Sequence, residues 1–322
     1  MMKRQIVFIL SLFSLVVFAQ DPLEYVDPEK MMNAAKDAYD NGNLQEAITY
    51  LDKITLNDSL YPTSLYTKAS YLFENEDYDQ VKQICDNYQT PDLSLTHNFG
   101  ILEGVSYLRE EEYKAASEHF EGMIKTFPKS YLCHYDLGLA LRGLEKTEEA
   151  VEMFQKCILY NPYYAYPHLQ LGEICLQEGL LTRAVLSYNT FLLMNPGLSN
   201  SLDILINLNE ILSSETETTP SGATVTDNKE ALDEINLLLK NYVALNENFE
   251  ISNKIDVALV RQNQLILQQL KNVPDGEGFW LEKYVPFYNK LYNEGHFDAF
   301  VYRIMSSTTH EKYKKIIEKN RK

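Results

Sequence analysis

The sequence predicts an all-α fold, a solenoid of about five stacked helix pairs followed by a mainly helical C-terminal module. Three observations point there. Small residues recur at Ala35, Ala69, Gly104, Gly138 and Gly172, at spacings of 34, 35, 34 and 34 residues, a period that marks helix-pair arrays. A second series, Ala47, Val81, Ala116, Ala150 and Ala184, trails the first by twelve residues throughout. Bulky side chains then sit four residues beyond the second series, at Leu51, Cys85, Phe120, Phe154 and Tyr188, one turn along the same helical face.

Taken in chain order, the first element is an export signal over residues 1–19. Met1-Met2-Lys3-Arg4 precedes the apolar run from Ile6 to Ala19, and Val17 and Ala19 suit a small-residue cleavage site. Its fourteen residues are fewer than the roughly 20 that span a bilayer, and no other segment is suited to spanning. No cysteine follows the cleavage region to accept a lipid. The mature chain is therefore expected to be soluble and periplasmic or, alternatively, secreted.

The repeats are expected at about 29–61, 62–95, 97–130, 131–164 and 165–198, with a capping helix at 199–212 formed by Leu202, Leu205, Ile206, Leu208, Ile211 and Leu212. Pro128, Pro162 and Pro196 end the second helix of the last three pairs. Asn41-Gly42-Asn43 and Glu178-Gly179 fall midway through their repeats, where two helices must be joined. Glycine or alanine lets the helices of a pair approach closely while larger residues fill the gaps beside the crossing. One pair cannot bury its own faces, but stacked pairs cover one another.

Leu137-Gly138, Ala150, Phe154 and Pro162, then Leu171-Gly172, Ala184, Tyr188 and Pro196, resemble two tetratricopeptide repeats, and 97–130 matches nearly as well. The first two repeats lack the terminal proline, and Val81 and Cys85 fit more loosely. The cleavage region, with Gln20 or Asp21 following Phe18-Ala19, resembles that of exported Bacteroidota envelope proteins. The family resemblance implies a right-handed α-solenoid whose first helices line a concave surface. It places Tyr66, Phe73, Ile101, Val105, Leu108, Arg109, Tyr135, Leu139, Arg142, Leu169 and Leu176 on that face. Carboxylate-clamp members carry lysine and asparagine where this chain has Met32, Tyr66, Ile101, Tyr135 and Leu169 and no asparagine, so that activity does not carry over. The strip suits a partner helix or extended peptide, with Arg109 and Arg142 available to orient it; burial of some of these side chains beneath the C-terminal module is the competing expectation.

Residues 213–226, rich in Ser, Thr and Glu, read as a flexible linker. Asp227 and Glu230 have capping-box spacing ahead of Leu232, Ile235, Leu238 and Leu239, which starts the module at 227–322. Phe249, Ile251 and Ile255 suggest a short extended piece before a helix from Val257 to Leu270. Beyond Pro274-Asp275-Gly276, aromatic residues from Phe279 to Tyr302 suit two or three short amphipathic helices.

Chemistry is sparse. The formal net charge of −17 argues against nucleic acid as a partner. Cys85, Cys133, Cys157 and Cys175 sit at helical positions inside the repeats and read as buried thiols, although export permits a disulfide and Cys157 with Cys175 is the pair best placed for one. His134 and His168 are repeat equivalents, each four residues before its glycine, and packing explains them better than metal binding. His310-Glu311 opens like a zinc-protease motif, but Lys314 stands where the second histidine is required. Asp58-Ser59-Leu60 matches a short O-glycosylation pattern in a loop between repeats. No catalytic residue, cofactor site or metal site is expected. The preferred reading is a non-enzymatic scaffold or adaptor that holds a segment of an envelope or secreted protein. The alternatives are a glycan-binding protein using exposed aromatics, and a hydrolase whose site lies in the C-terminal module; converging histidines and carboxylates there would mark the latter.

Overall fold

The computed structural model describes residues 26–213 and 229–320. The export signal, the capping-box residue Asp227 and the expected linker, apart from Ser213, lie outside the described residues. The chain forms two compact units, one ending at Asn75 and the other starting at Glu76, a boundary inside the second expected repeat.

The first unit holds α1 (Pro28–Asp40), α2 (Leu44–Leu51) and α3 (Tyr61–Glu74). α1 starts where the Asp27 carboxylate accepts the Glu29 and Lys30 amides and Pro28 supplies the first helical φ. It packs on α2 through Ala35, Ala47 and Leu51, all buried, after a turn that Gly42 completes at φ +80°. The Tyr39 ring stacks on Tyr71 with centroids 3.8 Å apart. Its hydroxyl donates to Glu74 at 2.6 Å, and that hydrogen bond pushes the phenol up to about 12.

The second unit holds α4 (Tyr78–Asn87), α5 (Leu93–Arg109), α6 (Tyr113–Thr126), α7 (Tyr131–Gly143), α8 (Thr147–Tyr160), α9 (Tyr166–Gln177), α10 (Leu181–Met194) and α11 (Ser201–Ser213). The repeat glycines each face an aromatic of the paired helix. A Cβ built on Gly104 would lie 2.4 Å from Phe120, one on Gly138 2.6 Å from Phe154, and one on Gly172 3.1 Å from Tyr188. The small residue of the first helix thus seats the aromatic of the second, which also covers the buried Ala116, Ala150 or Ala184 one turn earlier. Pro128, Pro162 and Pro196 follow two residues after α6, α8 and α10.

The turns within pairs share a backbone device. Gly42, Glu76, Glu111, Glu145 and Gly179 all have positive φ, between 60° and 80°, and they recur at the period of the repeat. Left-handed backbone is costly for a residue with a Cβ, so the repeat geometry imposes it on three glutamates.

The C-terminal segment comprises α12 (Lys229–Lys240), α13 (Ala258–Leu270), α14 (Phe279–Lys283), α15 (Val285–Asn293), α16 (Phe297–Ile304) and α17 (Glu311–Lys319). It packs around α10, whose residues from Leu181 to Leu192 are all buried. Asn236 caps the start of α10 by accepting the Thr182 amide at 3.1 Å and donating to Gly179 O at 3.1 Å, while Arg303 Nε donates to Leu193 O near its end. In between, Asn189 donates to Asn263 at 2.6 Å and the Tyr288 hydroxyl donates to Leu186 O at 2.8 Å. The polar face of α10 is therefore an internal contact. α11 seals the array with Leu205, Leu208 and Leu212, leaving Ile206 exposed.

One expectation is corrected. Residues 249–257 form no strand; they run as irregular chain. Gln264 takes the bonds a ladder would have made, its Oε1 accepting the Ser252 amide and its Nε2 donating to Glu250 O, both at 2.8 Å.

Candidate functional site

The first helices of the middle pairs differ from ordinary amphipathic helices in having two apolar faces. On α7, Cys133, Leu137, Ala140 and Leu141 are buried in the array, while Tyr135 and Leu139 are only partly covered. α5 repeats the arrangement with Val105 and Leu108. Between them lies a hollow of about 570 Å³ lined by Val105, Leu108 and Arg109 from α5, Tyr113 from α6, and Tyr135, Asp136, Leu139, Arg142 and Gly143 from α7. Gly143 is required there, because a Cβ would lie 2.3 Å from the Tyr113 ring. A second hollow, about 450 Å³, has Leu169, Glu173 and Leu176 on α9 facing Ile204, Leu208 and Ile211 on α11.

The eleven residues chosen from the sequence divide accordingly. Six of them, Val105, Leu108, Arg109, Tyr135, Leu139 and Arg142, line the first hollow. Leu169 and Leu176 line the second. Ile101 packs partly buried against the core, and Tyr66 and Phe73 are half-buried on α3 of the first unit. Arg142 is already engaged: its Nη1 reaches Glu173 Oε2 at 2.8 Å and also bonds Gln170 Oε1, bridging α7 to α9. Arg109 is exposed at the hollow. Tyr135 belongs to an aromatic cluster, with centroids 5.8 Å from Phe154 and 5.2 Å from Tyr164, and burial raises its phenol.

Asp136 was missed by the sequence reading. Only 7% of it is exposed; it lines the first hollow, and burial pushes its carboxyl up to about 7. Its signal was a single acid between apolar positions at 133, 137 and 140. Glu173 lines the second hollow.

The remaining candidates are structural. All four cysteines are buried free thiols, and burial pushes Cys85, Cys157 and Cys175 up to about 12, which leaves no reactive thiolate. His134 Nδ1 bonds Ser130 O at 2.8 Å. His168 Nδ1 bonds the Tyr284 hydroxyl at 2.6 Å, and burial lowers it to about 4. Ser59 is exposed in the turn between α2 and α3. Among the described residues, no group of three or more His, Cys, Asp or Glu is placed to hold a metal ion, and no helix is long and apolar enough to cross a membrane.

No curated protein sequence matches the chain. Two segments match tetratricopeptide repeat models, residues 32–80 and 132–164. Among solved structures, the chain is similar to MamA, residues 41 to the end, from Desulfovibrio magneticus RS-1, at 22% identity over 53% of this chain and 97% of that one, with a TM-score of 0.43. A double mutant of MamA from RS-1 matches at 21% identity over 54% and 97%, with a TM-score of 0.44. The chain is an all-α protein containing tetratricopeptide repeats.

Proposed function

We propose that the protein is a non-enzymatic scaffold, exported to the periplasm or secreted, that holds a segment of a partner polypeptide along the first helices of its middle repeats. The observation that carries this reading is that six of the expected inner residues line one hollow between α5 and α7. A hollow with aliphatic and aromatic walls and converging polar groups is the form of a recognition site, and a helix or extended segment is the occupant that a groove along stacked helices fits. Residues 29–212 supply the binding array in this account, and 227–322 brace its last pair. No cofactor is invoked.

The experiment is selection of short randomised peptides on the immobilised full chain, followed by Leu139→Arg. Affinity for the selected peptides should fall by about tenfold or more, because the new charge enters a desolvated contact, with circular dichroism unchanged. Undiminished binding would move the site elsewhere, with Tyr163 and Tyr160, 85% and 44% exposed, the first place to look for the glycan alternative. Export is tested separately, by fractionating cells for the mature chain.

A further inference from the structure

Asp136 is hard to explain as a structural residue. An ionised carboxylate only accepts hydrogen bonds, yet among the described residues no donor reaches it, although it is more than nine-tenths buried. The titratable groups that feel its charge, Cys133, Tyr135, Cys157 and Tyr164, are neutral at ordinary pH and all pushed upward. Neither arginine of the hollow supplies the missing cation. Arg142 is held by Glu173 and Gln170, and Arg109 is exposed and has no resolved effect on the Asp136 carboxyl. Burial without a partner favours the protonated form of this carboxyl, which is why it is pushed up to about 7; a cation seated in the hollow would favour the ionised form instead.

The walls around it have a definite chemistry. Val105, Leu108 and Leu139 are aliphatic, and Tyr113 and Tyr135 add two rings. A carboxylate among aliphatic and aromatic walls matches a long amphipathic cation, whose methylene stem packs on the apolar side chains while its charged head meets the acid and the rings. The chain's net charge of −17 would also draw a basic segment toward it.

We propose that the hollow between α5 and α7 recognises a lysine or arginine of the bound polypeptide segment, with Asp136 as the counter-charge. This rests on the groove reading and adds the chemistry of one anchor to it. A segment with only apolar anchors would leave Asp136 unpaired; one carrying an acid there would be repelled.

The test uses the full chain and synthetic peptides. Randomised peptides selected on the wild type should be enriched in lysine or arginine at one fixed distance from apolar positions. For the best peptide, replacing that residue with norleucine should weaken binding to the wild type by about tenfold or more, as for a desolvated charge pair. The same replacement should change binding to Asp136→Asn about twofold or less. Equal losses in both proteins, or no enriched basic position, overturn the inference while leaving the groove reading intact. Failure of the wild type to select any peptide overturns both. Circular dichroism and melting of Asp136→Asn establish that the variant is folded.

Discussion

The seating of an aromatic on each repeat glycine makes a quantitative prediction at Gly138. A Cβ there would lie 2.6, 2.8 and 3.0 Å from three atoms of the Phe154 ring, whereas carbon atoms in good contact are about 3.5 to 4.0 Å apart. Phe154 is fully buried, so its ring has nowhere to swing. Alanine at 138 gains about 1 kcal/mol of helix propensity but overpacks the crossing at about 1 to 3 kcal/mol, a net loss of roughly 1 kcal/mol. Gly138→Leu keeps the clash, adds three carbons, and should lose about 3 kcal/mol or more. At roughly 2 to 4 °C per kcal/mol for a unit of this size, its melting temperature should fall by about 6 to 12 °C. Gly172→Ala provides the internal comparison: its Cβ would be 3.1 Å from Tyr188, a contact relieved by a small ring movement, so propensity and packing nearly cancel. Thermal melting by circular dichroism gives the ranking, and Phe154→Leu should partly rescue Gly138→Ala by opening the space. Unchanged melting for Gly138→Leu, or greater damage from Gly172→Ala than from Gly138→Ala, would refute the seating argument.

Other perturbations have equally definite signs. His168 is held near 4 against an ordinary 6.5, so the unfolded chain binds more protons between those values; the stability it contributes above 6.5, roughly 3 kcal/mol, is lost as pH falls toward 4, and His168→Gln should flatten that loss in urea titrations at stepped pH. Asp136 has the opposite sign, because its carboxyl lies near 7 against an ordinary 3.8, and stability is lost as pH rises through that window. Asp136→Asn should therefore match the wild type near pH 4 and exceed it at pH 8 by a margin on the order of a few kcal/mol; no such margin would mean that the carboxylate is already compensated. Glu145→Gly should stabilise by up to about 1 kcal/mol, since glycine adopts positive φ without a Cβ penalty, and a lower denaturation midpoint would show that the glutamate side chain has another role. Tyr288→Phe should cost about 1 to 2 kcal/mol by removing the donor to Leu186 O, a loss absent if that hydroxyl contributes nothing to docking on α10.

The fold was legible because its main signal is periodic. Ala35, Gly104, Gly138 and Gly172 are small at the point where the helices of a pair meet, and Pro128, Pro162 and Pro196 mark where second helices stop. The within-pair turns were only half visible. Gly42 and Gly179 announce themselves, whereas Glu76, Glu111 and Glu145 adopt the same left-handed backbone with a residue that carries no turn preference. The surroundings of α10 were not legible at all. Thr182, Arg183, Ser187, Asn189 and Thr190 look like a solvated face, yet all are buried, because partners such as Asn263 and Tyr288 lie 74 and 98 residues further on. Local patterning carries no trace of contacts at that range. At the candidate site the inner positions came from repeat register, which found the apolar walls of the hollow. It missed Asp136, because acids are assigned to solvated faces unless a fold shows them buried.

The proposed seat of the partner polypeptide is the hollow between α5 and α7. Hydroxyl-radical footprinting of the full chain, with and without a peptide selected on it, tests this most directly, because tyrosine and leucine side chains report their own solvent access. The peptide should protect Leu108, Tyr135 and Leu139 while Tyr163 and Phe287, both exposed, keep their reactivity. Protection confined to Tyr160 and Tyr163, or to Phe287 on α15, with Leu108 and Leu139 unchanged, would contradict it.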